Sequence, residues 1–244
     1  MGKRILIFLP FRGVSALVYG LMAVLMAFIS FNYFLTLFRF ASFSYAQSIL
    51  AASLASFVSL MASPLNLVVK EVNRKVIAPA VDTVYIFGIP IYFPRLQVSL
   101  FQTLIAINLG GALIPALLSG ILFQVFQDTY PLLILDILVV TLASKYLARV
   151  VDGVGIVMSP IIPPLISTLV AFLTFDGHSS LIPAAAYISG VLGTLIGADL
   201  LNMPRVLKAS PQVVSIGGAG TFDGIYLTGI LAILFSYAVV NSFR

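Results

Sequence analysis

The chain has no cysteine, one histidine, and charged residues at only 9% of its 244 positions. Without cysteine there is neither a disulfide framework nor a thiol nucleophile. His178 stands alone in the polar loop Phe175-Asp-Gly-His-Ser-Ser. A Ser-His-Asp triad or a histidine-rich metal centre would have only this residue to build on, so His178 is read as an ordinary loop residue and neither metal nor cofactor is expected. The scarcity of charge excludes a purely aqueous domain, because soluble domains are about one-quarter charged, whereas 61% of this chain is hydrophobic. The net charge of +5 does not point to nucleic acid. The basic residues sit at the ends of apolar segments rather than in a stripe with interleaved aromatics.

What the chain has is long apolar runs. A hydrocarbon core about 30 Å thick needs about 20 apolar residues in a helix. On that measure seven spans are predicted, near 14–37, 45–66, 99–126, 131–148, 159–175, 181–201 and 223–241. The expected fold class is therefore an all-α integral membrane helical bundle, one transmembrane domain covering 1–244. The first apolar run lacks a small-residue cleavage site, which makes it a retained helix rather than a signal peptide. With the N-terminus inside, eleven of the thirteen basic residues fall on the cytoplasmic side and only Arg39 and Arg244 outside. The positive-inside rule then gives a multi-pass cell-membrane protein with its C-terminus outside and lipids as its immediate partners. The sequence carries no signal for an oligomeric state.

One segment departs from this pattern. About 66–97, residues such as Asp82-Thr-Val-Tyr-Ile-Phe-Gly-Ile-Pro-Ile-Tyr-Phe-Pro are β-branched or aromatic and punctuated by Gly88, Pro90 and Pro94. They predict short strands with turns. Gln212-Val-Val-Ser-Ile is a second strand-like piece before the last span. An open sheet edge is not tolerated in lipid, so both are expected in a small β-structure at the cytoplasmic face.

Among eight acidic residues, Asp136, Asp199 and Asp223 fall in or at the edges of predicted helices, where an ionisable group is a functional candidate by default. Asp136 is read as meeting water near the outer end of its helix. Asp199 closes the sixth span and Asp223 opens the seventh, so two antiparallel helices bring two carboxylates to the same depth. A facing pair can share one proton, one carboxylate activating water and the other protonating a peptide carbonyl. Gly217, Gly218 and Gly220 beside Asp223 offer close backbone approach to a substrate. In the third span, Asn108 and Pro115 mark a loosened helix that opens carbonyls to a cavity. Plainer roles exist for all of them: Asp223 as a helix cap, Asp199 paired with Arg205, and Gly190, Gly193 and Gly197 as a packing face.

Three segments carry a family resemblance: Asn108-Leu-Gly-Gly-Ala-Leu-Ile-Pro, Gly193-Thr-Leu-Ile-Gly-Ala-Asp-Leu-Leu-Asn, and Gly217-Gly-Ala-Gly-Thr-Phe-Asp-Gly-Ile-Tyr-Leu-Thr-Gly-Ile-Leu. In these the chain resembles an uncharacterised family of prokaryotic membrane proteins, which supplies no activity. The strand Val213-Val-Ser-Ile leading through glycines to Asp223 is also similar to the entrance of the seventh helix in presenilin and signal-peptide-peptidase proteases. That resemblance implies Asp199 and Asp223 as a catalytic dyad and a transmembrane peptide as substrate. The pattern is broken here: Thr221 and Phe222 separate Gly220 from Asp223, Ala198 stands where a Tyr usually precedes the other aspartate, and Pro115-Ala116-Leu117 comes before the first aspartate instead of after the second. An ion- or proton-coupled transporter, a lipid-handling protein and a non-enzymatic assembly subunit are the competing expectations.

Overall fold

The computed structural model describes residues 5–8, 13–151, 155–209, 211–218 and 224–242. The described chain is mostly helical, and six of its helices are long and apolar enough to cross a membrane. In chain order the elements are β1 (Ile5–Ile7), α1 (Val14–Phe40), α2 (Tyr45–Ala62), β2 (Leu65–Ile86), β3 (Ile89–Asn108), α3 (Leu109–Phe126), α4 (Tyr130–Leu147), β4 (Arg149–Val151), β5 (Gly155–Val157), α5 (Ile162–Thr174), α6 (Ile182–Lys208), β6 (Val213–Ile216) and α7 (Gly224–Ser242). The helix starts follow from sequence. Ser44 and Gln47 form a reciprocal capping box at α2, and α4, α5 and α6 each place proline in the first turn, where its missing N–H costs nothing.

The bundle is not all-α. The expected short strands over 66–97 are one hairpin whose arms hold 22 and 20 residues, running from Asn66 opposite Asn108 to Ile86 opposite Ile89. The third span therefore begins at Leu109 and not near residue 99, and the second ends at Ala62. The run from Leu104 to Asn108 is apolar enough for either structure. It becomes strand because β2 lies on one side of it and β6, parallel, on the other. The sheet order is β1-β2-β3-β6, and β4 with β5 makes a separate two-stranded ribbon. Gly88 does make the turn, together with Phe87, both at positive φ (80° and 52°), the pairing a two-residue hairpin needs. Pro90 and Pro94 do not break the strand. With Pro79 opposite Leu96 they occupy positions of one parity, so each missing N–H can face the free edge.

The central helix is α6, two-thirds buried (67%) over its most apolar stretch against 28% for α4. Its glycines set the packing. A Cβ at Gly193 would strike Val140, and one at Gly197 would overlap the Thr141 carbonyl and crowd Ser144. Residues 193 and 197 thus climb α6 as 140 and 144 climb α4, so these two helices run parallel. On another side, Gly229 of α7 lies against Tyr187 and Val191. Tyr187 is fully buried and meets Phe34 of α1 edge to face, 5.5 Å between ring centres.

Candidate functional site

The C-terminal half of α6 is not regular helix throughout. Leu195–Leu200 is π-helical, and π-helical turns inside α-helices are frequent at functional sites. Asp199 lies in this turn. Asn202 donates from Nδ2 to the carbonyls of Gly197 and Ala198, both at 3.1 Å, which satisfies groups the irregular turn releases. The Asp199 carboxylate does not pair with Arg205, whose Nη1 donates instead to Asn202 Oδ1 at 3.4 Å. It reaches the next element: the amide of Gly217 donates to Asp199 Oδ2 at 2.8 Å.

Gly217 and Gly218 follow β6 with φ of 83° and 77°. A side chain at Gly217 would also collide with Ala112 of α3. Only glycine meets both demands, and the turn it allows aims the Gly217 amide at Asp199. Gly218 belongs to the same corner: its carbonyl accepts from Asn108 Nδ2 at 3.1 Å and from the Ser215 hydroxyl at 2.5 Å.

Asn108 is fully buried at the junction of β3 and α3. Its Oδ1 accepts from the Gly111 amide at 2.7 Å, capping the π-helical turn Leu109–Leu113, while its Nδ2 donates to the Ser63 carbonyl at 2.6 Å. Asn66 Oδ1 lies 2.5 Å from the same Ser215 hydroxyl, whose single proton serves either this oxygen or the Gly218 carbonyl. This network ties the foot of the hairpin to the corner before α7. Sequence reasoning missed Asn66 and Ser215, which carry no motif and become partners only through the β2-β3-β6 pairing. Pro115 stands apart, inside α3, with its carbonyl accepting from Ser119 Oγ at 2.9 Å.

Beside Asp199 is a cavity of about 350 Å³, lined among others by Met158, Ser159, Thr194, Ala198 and Gly224. Thr194 Oγ1 is buried and has no hydrogen-bond partner among the described residues. The cavity thus presents a carboxylate and two hydroxyl-bearing residues. Gly224, which follows Asp223 in the sequence, forms part of its wall. Asp223 and Gly220 themselves lie outside the described residues.

Asp136 does not meet water as expected. It is fully buried in α4, with Oδ1 2.8 Å from the Thr174 hydroxyl and Oδ2 unpartnered among the described residues. His178 is an exposed loop residue.

A family pattern described as a protein of unknown function, DUF1614, matches residues 60–235. The chain belongs to this family. The match includes Asn66, Asn108, Asp199 and Gly217, and also the three segments that carried the resemblance to an uncharacterised membrane family; it supplies no activity. No match was found among curated proteins or among solved structures.

Proposed function

We propose that the chain is an intramembrane aspartyl hydrolase acting on a transmembrane peptide, with Asp199 and Asp223 as its dyad. What supports this is the join between Asp199 and the corner after β6. The carboxylate is held by Gly217 at the end of a strand that is the outermost member of its sheet, beside a cavity whose wall includes Gly224. An edge strand offers main-chain donors and acceptors to an unwound substrate segment. In the proposed step one carboxylate takes a proton from water, whose oxygen adds to the peptide carbonyl carbon while the other carboxyl protonates the carbonyl oxygen. The tetrahedral species then collapses, breaking the C–N bond as the amine leaves with a proton. The test is cleavage of single-span reporter peptides in proteoliposomes, with a dyad-directed transition-state analogue as an active-site probe. Wild type should cleave and bind the analogue, and Asp199→Asn and Asp223→Asn should do neither. Equal cleavage by wild type and either variant defeats the reading.

Seven crossings and a cytoplasmic N-terminus belong to the same proposal. Because α4 and α6 run parallel, the chain between them has to return across the membrane, and α5 is the element available to do so, although only 13 residues long. The basic residues favour the side assigned to the N-terminus.

A proton- or cation-coupled transporter is the second reading, favoured by buried polar atoms without partners among the described residues. Asp136 Oδ2, Thr141 Oγ1, Ser144 Oγ and Thr194 Oγ1 lie on α4 and on α6, which packs against it. Proton or sodium flux into vesicles that is lost in Asp136→Asn, with no peptide cleavage by wild type, would select this reading.

A further inference from the structure

The hairpin has two unlike faces. In an antiparallel ribbon, cross-strand partners share a face and successive residues alternate. One face carries Ile77 opposite Val98, Pro79 opposite Leu96 and Val81 opposite Pro94. Ile77 is 66% exposed and Leu96 76%. The other face carries Ala80 opposite Arg95, and Asp82, whose Oδ2 is 2.9 Å from Arg95 Nη1. At the tip the distinction ends. From Thr83 to Pro94 there is no charged residue, Tyr85 and Tyr92 are exposed, and Phe87 is completely so.

The ribbon is about 65 Å long at the usual rise per residue. Its foot is anchored: Arg74 donates to the Leu207 carbonyl at 2.8 Å and Thr103 to the Pro211 carbonyl at 2.7 Å. Beyond that, β1 covers β2 only at Leu65–Leu67 and β6 covers β3 only at Leu104–Ile107, so among the described residues the outer parts of both edges are unpaired. A two-stranded ribbon in water is marginal. Unpaired N–H and C=O groups cannot be sunk in hydrocarbon, and a continuous apolar face is not left in water. A membrane interface meets both conditions, with the face toward acyl chains and the edges among headgroups and water.

We propose that the outer part of this hairpin lies in the interfacial layer of an anionic phospholipid leaflet, that of the membrane surface at which α2 ends and α3 begins. The tip is the deepest part, because Val84 opposite Ile91 and Ile86 opposite Ile89 make it apolar on its second face as well. A second copy stacked on the apolar face would cover one side and leave that tip exposed, whereas lipid covers both. Charge agrees. Between Leu65 and Asn108 are four basic residues (Lys70, Arg74, Lys75, Arg95) and two acidic ones (Glu71, Asp82), a net of +2, which attracts anionic headgroups. Tyrosines near the tip suit the headgroup boundary.

The chain contains no tryptophan and no cysteine, so one substitution installs a unique probe. The full chain carrying Phe87→Trp, Leu96→Trp or Ala80→Trp is placed in vesicles of phosphatidylcholine and phosphatidylglycerol with brominated acyl chains. The first two should show blue-shifted, quenched emission and the third much less of either. Replacing phosphatidylglycerol by phosphatidylcholine should weaken the quenching about twofold. Water-like, unquenched emission at both 87 and 96 overturns the proposal. So does a disulfide between copies in Leu96→Cys, which would make a second chain the occupant. Quenching indifferent to the anionic lipid overturns the choice of leaflet chemistry. All three positions are on the exposed ribbon, and a monodisperse elution profile equal to wild type confirms that each variant folds.

Discussion

The amide of Gly217 and the carboxylate of Asp199, eighteen residues apart, are joined by a hydrogen bond of 2.8 Å. That bond fixes the corner leading into α7 against the irregular turn of α6. Asp199→Asn keeps an acceptor oxygen and should fold with a melting temperature close to wild type, while losing whatever chemistry needs an ionisable group. Asp199→Ala leaves the amide without its partner and should cost about 1–3 kcal/mol. Thermal unfolding in detergent measures the difference, and equal stabilities of the two variants would show that the bond contributes nothing.

Gly197→Val should be among the most damaging changes to the bundle. The new side chain meets the Thr141 carbonyl and Ser144, and overpacking typically costs about 1–3 kcal/mol. The loop residue Gly177 has open space around the same added atom and serves as the control, Gly177→Ala. Unfolding midpoints that fall equally in both would refute the close approach of α4 and α6.

Asn108→Leu should destabilise by about 1–3 kcal/mol for each buried partner left unsatisfied. The Gly111 amide loses the side-chain oxygen that accepts from it and the Ser63 carbonyl loses one donor, whereas the Gly218 carbonyl keeps the Ser215 hydroxyl. Protection of the amides in β3 and β6 against hydrogen exchange should fall first, because the side chain ties the hairpin foot to the corner. Uniform loss of protection across all helices would instead indicate simple global weakening.

Thr174→Val removes the only hydrogen-bond partner assigned to Asp136 among the described residues and should cost about 1–3 kcal/mol, whereas replacing both partners by apolar groups can be nearly neutral. The double variant Asp136→Leu with Thr174→Val should therefore be more stable than Thr174→Val alone. A double-mutant cycle read by thermal unfolding gives the sign, and strict additivity would deny the interaction.

Part of the corner beside Asp199 is legible in the sequence. Gly217 and Gly218 read as positions of irregular backbone and Asn108 as a polar residue in an apolar run, and the structure brings them into one network with Asp199. Ser215 and Asn66 did not stand out. Their value lies in a partner 149 residues away, a distance over which local pattern carries nothing.

Membrane character follows from the sequence by itself, since hydropathy sums over neighbours and needs no partner. So does the packing face of α6, where small residues at 190, 193 and 197 recur on one helical stripe. The tertiary structure alone decided that residues 99–108 are strand, that 65–108 is one continuous ribbon, and that α4 lies parallel to α6. Strand pairing and helix direction are non-local choices. An apolar stretch such as Leu104–Asn108 has similar local preferences in either conformation, and its state was settled by β2 and β6 supplying the hydrogen bonds its backbone requires.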